Sequence, residues 1–255
     1  MAETKILAMC GKGGVGKTSV SALMAKILSS RKKARILAID ADPAVGLATA
    51  LGITVKKTVN DIRNSLVEQM KKGSSPADRE TLKMLDYEVF GALEERNGLA
   101  LLAIGRPEDE GCFCRVNNLL KDIIADLAAK FDIVLIDGEA GIEQINRRVM
   151  KTVDTLVLVS DTSAKAIGVA NTISHVAKDN RAVDFRRMGL IINRVRRPEE
   201  VDAIRLKTPI EILGALPDDD LIRDFDFHGN PLTEMPDNSP SISVVTSILK
   251  TLEII

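Results

Sequence analysis

The apolar run Lys5–Met9 passes at once into Gly11-Lys12-Gly13-Gly14-Val15-Gly16-Lys17-Thr18, and a helical pattern follows over Thr18–Ser29. A strand, a glycine loop and a helix in that order form the setting a phosphate-binding loop requires. The glycines let backbone N–H groups turn inward around phosphate oxygens, and the helix N-terminus adds partial positive charge. In this pattern Lys17 reaches the β and γ phosphates and the Thr18 hydroxyl binds Mg²⁺. Gly11 through Ser19 is thus the expected nucleotide contact, with Gly13, Gly14, Val15 and Gly16 as its turn.

Further short apolar runs suit buried parallel strands: Arg35–Ile39, Leu99–Ile104, Ile133–Ile136, Leu156–Ser160, Leu190–Asn193 and Ile212–Leu216. Helical patterns such as Asn118–Lys130 and Ala164–Val176 lie between most of them. The alternation predicts an α/β fold, a mostly parallel seven- or eight-stranded sheet with helices on both faces. The 255 residues are expected to form a single domain built on the phosphate-binding loop, 1–255. One long interruption, Lys56–Asn97, reads as charged and helical with a loop at Lys72–Pro76, an insertion or partner surface. A final helix from about Ser241 to Leu252 could dock on the sheet or lie on a membrane. Docking is favoured, because the helix has too few basic residues for a surface anchor.

Aromatic residues make up 3% of the chain and there is no Trp, which suits an aliphatic core between helices and a parallel sheet. It speaks against an aromatic nucleic-acid platform. The formal net charge is -1, so there is no overall pull toward nucleic acid or acidic membrane. The basic clusters Arg31–Arg35 and Arg194–Arg197 read as solvated surface. Three cysteines are too few for a disulfide scaffold, and no signal-peptide layout or membrane-length apolar run is seen, so the chain reads as cytoplasmic.

Two acidic motifs fall at strand ends, where open parallel sheets bind ligands. The second strand leads into Asp40-Ala41-Asp42-Pro43 and the fourth into Asp137-Gly138-Glu139-Ala140-Gly141. Hydrolysis needs a water in line with the γ-phosphate, which Asp40 or Asp42 could orient. Asn193 ends another strand and offers both a donor and an acceptor, matching the edge of adenine. Asp218-Asp219-Asp220 reads as a cation site or, more simply, a helix cap. His175 and His228 have no ligand spacing around them, and Cys10 reads as a small core residue.

Cys112-Phe113-Cys114 places two soft ligands one residue apart. Two thiolates per chain do not complete a four-coordinate site, but a twofold dimer would supply four sulfurs. A buried packing pair and a redox dithiol remain alternatives. Four-sulfur ligation allows zinc or nickel.

The loop carries a second lysine, Lys12, and its run Lys12–Thr18 resembles the deviant Walker A motif of the SIMIBI ATPases, a group that includes MinD, ParA and the nitrogenase iron protein. The resemblance implies an ATP-bound homodimer in which Lys12 touches the nucleotide of the other subunit. It implies that Asp40 orients the water, with Asp42 nearby, that Asp137 holds Mg²⁺ through water, and that Gly141 donates its N–H near the γ-phosphate. It gives Asn193 and Pro217 to the adenine. The catalytic set is then Lys12, Lys17 and Asp40.

Together with the cysteine pair, Gly138–Glu143 and Ile192–Val195, these motifs also resemble the CooC-type nickel-insertion accessory ATPases of carbon monoxide dehydrogenase and their AcsF siblings. That narrower resemblance implies ATP, magnesium and nickel or zinc as cofactors. It implies carbon monoxide dehydrogenase or acetyl-CoA synthase as partner, and neither nucleic acid nor membrane. A ParA/MinD-like positioning ATPase acting on DNA or membrane is the alternative.

Overall fold

The structure, a computed structural model, describes residues 3–31, 34–71, 79–106, 114–139, 149–150, 152–180 and 183–255. Eight strands form one sheet: β1 Lys5–Cys10, β2 Ile36–Asp40, β3 Glu94–Arg96, β4 Leu99–Ala103, β5 Ile133–Asp137, β6 Thr152–Ser160, β7 Asp184–Val195 and β8 Ile212–Pro217. Their order is β3-β4-β2-β5-β1-β6-β7-β8. Only the β3–β4 pair is antiparallel. Nine α-helices are seen among the described residues: α1 Lys17–Ser30, α2 Gly46–Leu51, α3 Val59–Lys71, α4 Arg79–Gly91, α5 Cys114–Ala128, α6 Ala164–Asn180, α7 Pro198–Arg205, α8 Asp220–His228 and α9 Pro240–Thr251. The expected sheet, with helices on both faces, is what the chain builds.

Strand side chains alternate between faces, and the central strands sort their residues accordingly. Ala8 and Cys10 of β1, Leu37 and Ile39 of β2, and Val134 and Ile136 of β5 pack with α3, α4, α5, α6 and α7. Leu7, Met9, Ile36, Ala38, Ile133 and Leu135 face the other way, toward α1, α2 and α9. Helix α1 is apolar nearly all round, with Val20, Leu23, Met24, Ile27 and Leu28 buried, because it lies between the sheet and an outer layer. Each such large side chain contributes about 1.5–3 kcal/mol by leaving water.

One reading of the chain changes. The described residues of Lys56–Asn97 are part of the core rather than an insertion on it, the expected loop at Lys72–Pro76 lying outside them: Val59, Ile62, Leu66 and Val67 of α3 and Leu85 and Val89 of α4 are buried against α5. Its charges occupy the outer face, as in the Lys56–Glu94 and Lys57–Glu88 pairs. The segment also leads into a hairpin, β3–β4, turned at Asn97 and Gly98 with φ of 52° and 77°. That is the left-handed pair a tight hairpin turn requires. The final helix docks as expected: Ile242, Val245, Ile248 and Leu249 are buried against the sheet. No helix among the described residues is long and apolar enough to cross a membrane.

Candidate functional site

The loop after β1 crosses the sheet's edge where β1 lies between β5 and β6. Gly11 takes a φ of 150° and approaches β6 so closely that a Cβ would lie 2.1 Å from the Val159 carbonyl oxygen. Gly16, the N-cap of α1, takes a φ of 93°, and a Cβ there would lie 2.2 Å from Asn193 Nδ2. At these two positions no other residue fits. Gly13 and Gly14 open onto free space. The first turn of α1 has no side-chain cap and no acidic residue, so its free N–H groups and dipole are available to an anion. Lys17 is buried at 7% exposure, and its Nζ folds back to donate to the carbonyls of Gly11 at 3.2 Å and Lys12 at 3.3 Å. Lys12 is half-buried, and its ammonium makes no hydrogen bond or ion pair among the described residues.

Strand register brings the acids here. Asp40 of β2 and Asp137 of β5 are paired neighbours, and by alternation both point to the α1 side. Thr18 Oγ1 donates to Asp137 Oδ2 at 2.7 Å. Ser21 Oγ, one turn along α1, donates to Asp137 Oδ1 at 3.0 Å. Burial pushes the Asp137 carboxyl up to about 6; the Thr18 and Ser21 hydroxyls and the Lys17 charge oppose this, and Asp42 adds to it. Asp40 has no exposed surface. Its Oδ2 accepts from the N–H groups of Leu47 at 2.9 Å and Ala48 at 3.2 Å, and its Oδ1 from Asp42 N–H at 3.2 Å. Asp40 thereby caps α2. Burial and the neighbouring Asp137 charge push its carboxyl up to about 7, against those three N–H donors.

Asp42 differs. It is half-buried, its Oδ1 accepts from Ala44 N–H at 2.8 Å, and its Oδ2 accepts no hydrogen bond among the described residues. The turn that carries it ends at Val45, whose N–H donates to the Asp42 carbonyl at 3.0 Å. Val45 has a φ of 54°, which strains a β-branched residue.

Asn193 is buried, and its Nδ2 donates to the Val15 carbonyl at 2.9 Å while its Oδ1 accepts from Arg194 N–H. It braces the phosphate loop, and the second Nδ2 hydrogen is not used by that bond. Pro217 ends β8 beside Val195, the last residue of β7. Ser19 is half-buried on α1. Gly141 and Cys112 lie outside the described residues, and Cys114 is the first residue of α5. Cys10 is fully buried, and burial pushes its thiol up to about 12, so it behaves as a core residue. Asp219 caps α8, accepting from Leu221 N–H, as expected for the acidic triplet.

Ser21 and the Asn193–Val15 brace were not legible in the motifs. A serine inside an apolar helix carries no signature of its own. Its spacing of three from Thr18 was the available signal.

The donors around Thr18 are hard oxygens of the kind Mg²⁺ takes, set beside a phosphate cradle, so the residues fit a magnesium-bound nucleotide. The family model for the CobQ/CobB/MinD/ParA nucleotide binding domain matches residues 6–232. An uncharacterized ATP-binding protein of Methanocaldococcus jannaschii is 37% identical over 245 residues, covering 95% of this chain and 96% of that protein. The carbon monoxide dehydrogenase accessory protein CooC of Rhodospirillum rubrum is 29% identical over 233 residues, covering 88% of this chain and 87% of its own length. Among solved structures, the septum site-determining protein MinD of Pyrococcus horikoshii, complexed with Mg-ADP, superposes with a TM-score of 0.71 at 20% identity, over 98% of this chain and 96% of that one. Loop, acids and family match agree, and the chain belongs to the CobQ/CobB/MinD/ParA family of P-loop ATPases.

Proposed function

We propose that this chain is a Mg²⁺-dependent ATP hydrolase, folded as one domain, that dimerises on ATP and carries nickel to carbon monoxide dehydrogenase or acetyl-CoA synthase through Cys112 and Cys114. The observation that carries the hydrolase reading is the join of Thr18 to Asp137 at 2.7 Å beside an uncapped α1 N-terminus. When bound, Mg²⁺ neutralises charge on the β and γ phosphates. Gly11 through Ser19 would cradle the phosphates, Lys17 would leave the loop carbonyls for them, and Thr18 with Asp137 would hold the ion, Asp137 through water. Gly141 would donate near the γ-phosphate.

Burial divides the work of Asp40 and Asp42. Asp40 has no exposed surface, and its oxygens are taken by three backbone N–H groups that cannot turn away without undoing the start of α2, whereas the hydroxyls on Asp137 can rotate. Asp42 would therefore orient the water, in place of the Asp40 that the resemblance implies, and Asp40 would position Asp42 through its N–H. Lys12, without a partner in its own chain among the described residues, would supply positive charge to the nucleotide of a second copy.

The nickel reading rests on the CooC relative and on the cysteine pair. The positioning-switch alternative has less support. Arg35, Arg196 and Arg197 are each paired with an acid, and α9 buries its apolar face. The test is metal content per chain with dimer fraction on the same samples. One metal per two chains is expected, with four-sulfur charge-transfer absorption for Ni²⁺ but not for Zn²⁺, whose d shell is filled. Cys112→Ser or Cys114→Ser should lose the ion while keeping nucleotide binding. One metal per monomer that persists in Cys112→Ser would sink the shared site.

A further inference from the structure

Ser21 stands apart in α1. It is a hydroxyl at 1% exposure on a helix whose other buried residues beyond the loop are apolar. Helical serines commonly turn their hydroxyl back to the carbonyl one turn earlier. That of Ser21 reaches across to β5 instead and donates to Asp137 Oδ1 at 3.0 Å. No other side chain donates to that oxygen among the described residues, so without Ser21 it keeps no side-chain donor.

The torsion about the last bond of an aspartate is broad and roughly two-fold. One hydrogen bond from Thr18 leaves the carboxylate free to swing about that contact. A second hydroxyl on the far oxygen removes the freedom. Thr18 and Ser21 lie three residues apart on one helix face, and that helix begins at the phosphate loop. The carboxylate is therefore aligned to the same rigid element that receives the phosphates.

We propose that Ser21 is a positioning residue for the magnesium ion that accompanies the nucleotide, acting through Asp137, whose far oxygen it holds so that the near one stays beside Thr18 Oγ1. The inference rests on the reading of the loop as a Mg-nucleotide site. Its effect is confined to the metal-dependent part of affinity, because the hydrogen bond its hydroxyl makes is to Asp137.

The experiment measures ADP affinity by calorimetry with Mg²⁺ and with chelator, in four proteins: wild type, Ser21→Ala, Asp137→Asn and the double variant. The quantity read is the ratio of the two affinities. In wild type the ratio tests the underlying reading, since a ratio near one would show no magnesium site at all. Given a wild-type ratio well above one, Ser21→Ala should lower it up to about tenfold, because the freed carboxylate must then be ordered each time the ion binds. In the Asp137→Asn background the same change should do almost nothing, because the residue through which Ser21 acts is already neutral. An unaltered ratio in Ser21→Ala would overturn the proposal. So would an equal loss in both backgrounds, which would place the effect of Ser21 outside Asp137.

Discussion

Asp40 and Asp137 are neighbouring, deeply buried acids, and their positions make a testable claim about pH. Their carboxyls are pushed up to about 7 and about 6 from an ordinary value of 3.8, chiefly by burial. The nucleotide-free fold thus holds a proton that the unfolded chain releases. Stability from this source is complete below the unfolded value and is lost as pH rises through about 6 and 7. Between about pH 7.5 and about pH 5.5 the free protein should therefore become more stable. One pKa unit corresponds to about 1.4 kcal/mol. The protons of a coupled pair come off in macroscopic steps that belong to the pair, so the gain over this window is about 2 kcal/mol, roughly 4–8 °C in melting temperature for a chain of this size. Asp219 works in the opposite sense but at lower pH. Burial raises it, yet hydrogen bonds from Ser239, Ser241 and the Leu221 N–H outweigh that and hold it low. The assay is thermal unfolding of metal- and nucleotide-free protein across this range, for wild type and Asp40→Asn. The variant should show most of the slope gone. Mg-ADP should flatten the wild-type slope too, because a bound cation favours ionised carboxylates. A wild-type melting temperature that stays level or falls toward pH 5.5, or a slope that survives in Asp40→Asn, would refute the reasoning.

Asp42→Asn should lower ATP turnover at least about a hundredfold while ATP binding remains, since orienting the water is a transition-state role; single-turnover hydrolysis beside equilibrium binding checks it, and normal turnover would return the role to another group. Lys12→Ala should leave a monomer that binds ADP but does not dimerise with a non-hydrolysable ATP analogue, whereas Lys17→Ala should weaken nucleotide binding itself. Sedimentation of both variants separates these outcomes, and equal losses of nucleotide affinity would count against a cross-subunit Lys12.

What the sequence revealed followed from periodicity and from motifs whose residues act locally. The buried strands announced themselves as apolar runs, and the loop from Gly11 to Thr18 as spaced glycines. β3 did not, because its three residues Glu94, Glu95 and Arg96 carry charge on a sheet edge where burial imposes no pattern. The Asn97-Gly98 pair was the cue for it. β7 extends to Asp184, well before the apolar run at Leu190, because its first residues are half-exposed. The division between Asp40 and Asp42 was out of reach for a different reason. Both acids sit on one short motif, and only the folding of α2 over β2 decides which one is sealed beneath N–H donors. Asn193 was read toward the base, and its grip on Val15 depends on a contact 178 residues away along the chain.

The sorting of side chains by strand position has a mechanical consequence. Helix α1 and the acids Asp40 and Asp137 occupy one side of the sheet, while α5, which begins at Cys114, packs on the other through Val116, Leu120, Ile124 and Leu127. Side chains on opposite faces of a strand are divided by its own backbone, so the central strands act as a stiff partition rather than a conduit. The hydrogen bonds that leave the phosphate-loop side run along the strand ends. Ile104 N–H is bonded to the Asp40 carbonyl at 2.9 Å, and Asn60 N–H to the Ile104 carbonyl at 2.9 Å, so the rim is hydrogen-bonded from β2 to α3. The seam from Asp40 through Ile104 to Asn60 thus ties the acid-bearing end of β2 to the helix layer on the opposite face.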